Sequence, residues 1–207
     1  MELFASPMAC SLASHITAVE AGLPVRLRFI KDRKTDDGGD FTAIAANGYV
    51  PALRLDDGTV LNEGPSVLQY LADRKPESGL APAWGTTERY QLIDTLNYLG
   101  TEVHKKLFYT LFTPSVPEEA KKVARGQIEP TLDYLARRLG EREVLVGSRF
   151  TVADAYLVTM LNWFAFLQVD LKKWPTLQAY HQRHLKRPSV AQAMGVEMEE
   201  RKRRLAA

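Results

Sequence analysis

The chain has 207 residues, of which 45% are hydrophobic and 25% charged, with a formal net charge of +2. That length can bury one large core or two small ones, and the composition is ordinary for a soluble globular protein. Basic residues crowd only at the end, which excludes a nucleic-acid footprint, and the single cysteine excludes an internal disulfide or a zinc site of several thiolates.

Glu2–Ala5 reads as a short strand that Pro7 breaks. From Ser11 to Ala21 the apolar residues Leu12, Ile16 and Val19 fall at helical spacing, and Gly22 with Pro24 ends that helix. Arg26–Ile30 alternates like a second strand and runs into a polar loop, KDRKTDDGGD, with paired Gly38 and Gly39. Val50–Leu55 reads as a third strand, Asp57-Gly58 as a hairpin turn and Thr59–Leu61 as a fourth strand. A helix follows over Pro65–Arg74.

Residues 76–87, PESGLAPAWGTT, read as a linker. Helical patterns cover Glu88–Phe112, Pro117–Leu139, Val152–Leu167 and Leu177–Arg187, with Val144–Val146 as the one candidate strand. Thr151 and Asp154 form a capping box, a folding signal rather than a catalytic one. The tail, EMEERKRRLAA, reads as a solvated helix end. The start, with acidic Glu2 and no long apolar run, does not resemble a signal peptide, and no stretch is long enough to span a bilayer. A cytoplasmic protein without a membrane partner is expected, in keeping with cysteine usage suited to a reducing compartment.

Four places can carry chemistry. Cys10 falls at the mouth of the first helix, where free N–H groups favour thiolate over a thiol of pKa about 8.5; the alternative is a small buried apolar residue. A reactive Cys10 would have no second cysteine to resolve it, so its partner would be an external thiol. Val50-Pro51 can present main chain to a peptide-like ligand if the bond is cis, or be a trans edge proline. Glu63-Gly64 enters a helix, where the acid can pair with an ammonium group and the backbone can bind a carboxylate, or the segment is only a turn. His104 shares a helix face with Asn97, Thr101 and Phe108, which suggests a cleft; it can hydrogen-bond a thiol or act as a base, or be a satisfied histidine. His15, His181 and His184 have no comparable setting.

Together these features resemble a bacterial beta-class cytosolic glutathione transferase. ACSLASHI, GYVPALRLDDGTVLNEG, QYLAD, LNYLGTEVHK and FTVADAYL carry the resemblance, which runs from Glu2 to about Pro188. It implies an α/β thioredoxin-like N-terminal domain followed by an all-α C-terminal domain, with residues 1–77 binding glutathione, 78–87 as linker and 88–207 helical. It also implies a homodimer, glutathione as co-substrate with no tightly bound cofactor or metal, and a small electrophile or disulfide as second substrate. Cys10 would face the glutathione sulfur and Val50, before a cis Pro51, would pair with the tripeptide main chain. Glu63 and Gly64 would hold the γ-glutamyl end, and His104 would lie near the sulfur. Asn97 and Thr101 would line the cleft, Asn97 reaching across the dimer interface.

The chain departs from the family in three places. The family's glycine-contacting lysine maps to Arg33, or to Lys34, because the preceding loop is shorter. Ala45–Tyr49 replaces the usual Asn-Pro-Lys-Gly-Gln. Lys106 stands where a glycine is common, and Phe108, Tyr109 and Phe112 reshape the second-substrate pocket. Trp163 and Phe166 are either walls of that pocket or plain core, with core the better reading. The rival functions are a non-catalytic regulatory or binding protein and a carrier of apolar ligands; Cys10, Glu63-Gly64 and His104 favour the enzyme.

Overall fold

Period-two alternation builds the first layer. In the computed structural model, which describes residues 1–206, β1 (Glu2–Ala5) runs parallel to β2 (Arg26–Phe29) and antiparallel to β3 (Ala52–Arg54). β4 (Val60–Leu61) completes the order β2-β1-β3-β4. Leu3 and Leu53 point to one face, where they meet Ala18 of α1 (Ser11–Glu20) and Val67 and Leu71 of α2 (Gly64–Asp73). Phe4 and Ala52 point to the other face and pack on Phe41 and Ala45. Gly22 at φ 62 stops α1 as its position suggests, and the Leu23 N–H closes the end on the Ala18 carbonyl.

The second half is helical. α3 (Thr87–Tyr98) continues without a break through a π-helical stretch, Leu99–Tyr109, into α4 (Thr110–Phe112). A π-helix holds more than four residues per turn, so rows four apart run nearly along its axis. Two rows can therefore face one cleft: Gly100, His104 and Phe108, and Thr101, Lys105 and Tyr109. The single helix expected over Pro117–Leu139 is two, α5 (Glu118–Gly126) and α6 (Ile128–Leu139). Pro130 offers no N–H to the carbonyl of Gly126 and its ring crowds that turn. Val144–Val146 is buried but is not a strand, because the Leu145 N–H goes to the Asp154 carboxylate at 2.8 Å instead of to a sheet.

α7 (Val152–Phe166) is buried along nearly its whole length, and α8 (Pro175–Leu185) and α9 (Pro188–Ala206) follow. The tail is not simply solvated. Glu197 of α9 is fully buried, and Glu200, Arg201 and Arg204 are half-buried. None of the described helices is long and apolar enough to cross a membrane.

Buried ions join the halves. Arg89 of α3, with no exposed surface, makes paired 2.7 Å hydrogen bonds to Asp73 at the end of α2. Glu20 of α1 accepts from Arg187 Nε at 2.8 Å and from Ser189, just inside α9. Burial raises the Glu20 carboxyl, but the Arg187 and Ser189 hydrogen bonds outweigh it and hold the pKa below the usual range. The unfolded chain therefore binds the proton at a pH where the folded chain does not. Glu20 thus stabilises the fold above its unfolded pKa, and that stability is lost as pH falls through the folded one. Glu20→Gln is expected to cost about 2 kcal/mol at pH 7 and clearly less at pH 3, read from urea unfolding at the two pH values.

Candidate active site

One cavity of about 300 Å³ lies between the sheet half and the π-helical stretch. Cys10, Val50, Pro51, Glu63, Gly64, Asn97, Thr101 and His104 all line it. They come from four separate segments, set by the first strand–helix turn, the entry to β3, the entry to α2 and the long helix. Asn97 lines the cavity within its own chain. Arg33 does not line the cavity; it is exposed, at φ 61, close to the lining residue Tyr49. Lys34 opens on a different surface hollow beside Glu200 and Arg203. Lys106 points outward to Glu102 at 2.8 Å.

The Val50–Pro51 peptide is cis. Glu63 sits at φ 61, a conformation that costs a non-glycine residue about 1–3 kcal/mol and clusters at functional sites. Gly64 is the first residue of α2, so its N–H has no carbonyl a turn earlier in the helix. A Cβ on Gly64 would lie 3.6 Å from the Tyr156 hydroxyl, which places that hydroxyl directly under the helix entry.

Cys10 caps α1, and its thiol donates to the Val50 carbonyl at 3.1 Å. The helix end that favours a thiolate is opposed here by burial. Burial pushes the thiol up to about 11, against the lowering effect of the Lys105 charge and of the Cys10 and Ser11 N–H groups. The residue keeps some surface in the cavity, but protein packs closely around the sulfur, and lost hydration outweighs the helix end. A thiolate would also face the Val50 oxygen with no proton between them.

His104 Nδ1 lies 2.7 Å from the Tyr156 hydroxyl. Burial, then the nearby Lys105 charge, lowers the imidazole to about 4. A neutral ring with so low a pKa is a weak base at pH 7, so hydrogen bonding suits it better than proton abstraction. With the tyrosine donating to Nδ1, the proton sits on Nε2.

A second chamber of about 580 Å³ shares Cys10 and His104 with the first. Met8, Phe108, Phe112, Trp163 and Phe166 line it, with Arg201 from α9. Trp163 is also core, but Phe166 is 52% exposed, so the core reading fails for it. The loop before Cys10 is held from both sides at Met8, itself at φ 63. Its N–H donates to Glu197 at 2.6 Å, and its carbonyl accepts from the Trp163 indole at 2.9 Å. His15 meets the same Glu197 at 3.0 Å.

This arrangement can be set beside known proteins. The family model described as glutathione S-transferase, N-terminal domain, matches residues 7–74, and its C-terminal counterpart matches residues 102–188. The chain belongs to the glutathione S-transferase family. It is 42% identical to glutathione S-transferase GstA of Escherichia coli O157:H7 over 95% of this chain and 98% of that one. A bacterial beta-class glutathione S-transferase of Sphingomonas chungbukensis superposes with a TM-score of 0.91 at 45% identity, covering 95% and 98%. A sphingomonad glutathione S-transferase solved with glutathione matches with the same TM-score at 43% identity and the same coverage. These likenesses put the chain in the bacterial beta class, with the transferase fold of a thioredoxin-like sheet and an all-helical second half.

Within that transferase fold, sequence reasoning missed three residues. Tyr156 lies in the quoted block FTVADAYL, on the predicted helix Val152–Leu167, where no role was assigned to it; its hydroxyl was the signal. Lys105 adjoins His104 and would sit at the edge of that face on an α-helix, and here it lines the cavity, 4.9 Å from the Tyr49 ring centre. Arg201 was read as part of a solvated tail, and only the packing of α9 reveals it.

Proposed function

We propose that this transferase binds glutathione in the 300 Å³ cavity and transfers it to an electrophile in the adjoining chamber. The observation that carries this is the convergence of Cys10, Val50, Glu63, Gly64 and His104 on one cavity that opens onto an aromatic chamber. Glu63 takes the γ-glutamyl ammonium, and the Gly64 N–H its carboxylate. The Val50 main chain pairs with the tripeptide, Pro51 shapes that edge, and Asn97 and Thr101 line the opposite wall. Arg33 attracts the glycine carboxylate from outside the lining. Cys10 stays a thiol and turns its proton from Val50 to the glutathione sulfur, while His104 Nε2–H donates beside it. Both hydrogen bonds favour glutathione thiolate over thiol. Disulfide exchange is the second activity: the Cys10 thiol gives its proton to solvent, its sulfur attacks oxidised glutathione, one S–S bond forms, another breaks and glutathione thiolate leaves.

Residues 1–77 form the glutathione-binding unit, 78–87 the linker and 88–207 the helical domain. The working form is a cytoplasmic homodimer with no tightly bound cofactor. Retention on glutathione resin, elution by free glutathione and conjugation of chlorodinitrobenzene are expected. Retention without conjugation or exchange would leave a non-catalytic binding protein or a carrier, and no retention would overturn glutathione binding. His104→Ala is expected to lower kcat/KM about 10–100-fold. It also orphans the Tyr156 hydroxyl, for about 1–2 kcal/mol, or a few degrees of Tm. Tyr156→Phe removes the same hydrogen bond and keeps the imidazole, so equal loss in both variants would assign His104 a structural role alone.

A further inference from the structure

The second chamber carries a single formal charge. Its lining contains no aspartate or glutamate, and His104 is neutral at pH 7. The exception is Arg201. Its guanidinium lies 4.8 Å from the ring centre of Phe166, and it pairs with no carboxylate among the described residues. Its neighbours differ: Arg203 and Arg204 both bind Glu200. Arg201 is half-buried, so part of its hydration is already gone, and a free arginine fork in that position favours a planar anion. The rest of the chamber suits a ring. Phe108 stands edge-on to Trp163 at 5.0 Å and stacks near Phe112 at 5.5 Å, and Phe112 and Phe166 remain 44% and 52% exposed. The exposed part of that aromatic surface is open to a ligand ring.

We infer that the second substrate is an aromatic electrophile bearing a carboxylate or similar anionic group, and that Arg201 selects it. This rests on the transferase reading for its chemistry. The apolar ring lies over Phe112 and Phe166, its anion meets Arg201, and its reactive carbon faces Cys10 and His104. With an aryl chloride, glutathione thiolate attacks the ring carbon that bears chlorine. The C–S bond forms, the C–Cl bond breaks, chloride leaves with the bonding electrons, and the thiol proton has already gone to solvent.

Two matched ligand pairs test it. The reactive pair is chlorodinitrobenzene, with nitro groups on both sides of the chlorine, and the same ring with a carboxylate opposite the chlorine. The unreactive pair is dinitrobenzene and dinitrobenzoate, titrated calorimetrically into the full-length protein. Wild type is expected to prefer the carboxylate in both assays. Arg201→Gln is expected to lower the carboxylate-to-neutral ratio, in kcat/KM and in affinity, by about tenfold, the loss of one charge-assisted contact. Arg201→Lys should recover part of the preference. An unchanged ratio in Arg201→Gln, or wild type without a preference in the binding assay, overturns the inference. Preferential binding of dinitrobenzoate without any turnover would instead overturn the transferase reading and leave the role of Arg201 standing.

Discussion

Treatment with oxidised glutathione is expected to add one glutathione to the wild-type chain and none to Cys10→Ala. Mass spectrometry of the intact protein reads the outcome, and an adduct on the alanine variant would disprove the assignment. The chain offers no other sulfhydryl, so the test is unambiguous. Folding should survive the substitution. The side chain is small, and removing it frees the Val50 carbonyl, which borders the cavity and can bind water there. The expected loss is about 1 kcal/mol, the net value of one hydrogen bond. The same structure sets the rate. With the thiol pushed up to about 11, only a trace is thiolate at pH 7. Alkylation of the free protein by iodoacetamide should therefore run roughly two orders of magnitude slower than for an ordinary cysteine, and accelerate steadily up to high pH. Fast alkylation at neutral pH, levelling off by pH 8, would mean that the helix end and Lys105 prevail over burial.

The sheet half was legible because its signals are local. The alternation of Leu3 and Phe4, the Asp57-Gly58 turn and the Gly22 stop each act within a few residues, and each recurs in the structure. The cavity was legible in its parts, from Cys10 to His104, because each part sits at an element boundary where polar groups stand out. What escaped depends on three-dimensional context. Sequence reasoning can find a cysteine at a helix mouth, but not how closely protein surrounds its sulfur, and that closeness reverses the expected shift. The triplet Val144-Leu145-Val146 has strand composition, yet a carboxylate nine residues on takes its central N–H. Local pattern cannot see such a bond.

The tail shows the same gap at greater range. Glu197 in a run of charges reads as solvated, but α9 folds back on α1 and carries this residue to Met8. A carboxylate 189 positions away in sequence thus fixes the turn that precedes Cys10. Arg201 is one helical turn further along, on the side that meets the second chamber. The helix that braces the cysteine loop therefore also presents the charge proposed to select the substrate. Two functions of the site ride on one element that composition alone assigns to solvent.

Asp154→Ala is expected to be the most destabilising of the substitutions considered. As a capping residue alone it would be worth about 1 kcal/mol. Its surroundings ask for more. The carboxylate is fully buried and accepts four hydrogen bonds, from the Leu145 N–H at 2.8 Å, the Thr151 N–H at 2.8 Å, the Thr151 hydroxyl at 2.9 Å and the Tyr180 hydroxyl at 2.8 Å. Alanine would strand these donors where water has no ready access. Leaving several buried donors unpaired should cost about 4 kcal/mol, or about 8–16 °C of Tm for a chain of this size. Asp154→Asn keeps the shape but turns an NH2 towards two donors, so it should recover little of the loss. The effect on activity has a different character. α7 also carries Tyr156 and Trp163, but Asp154 lines neither cavity. Turnover per folded molecule should therefore stay near wild type at low temperature, while the folded fraction falls sharply on heating. Thermal unfolding and an active-site titration at low temperature separate the two. A variant that melts like wild type would show that the Leu145 and Tyr180 hydrogen bonds to this carboxylate do not hold the fold.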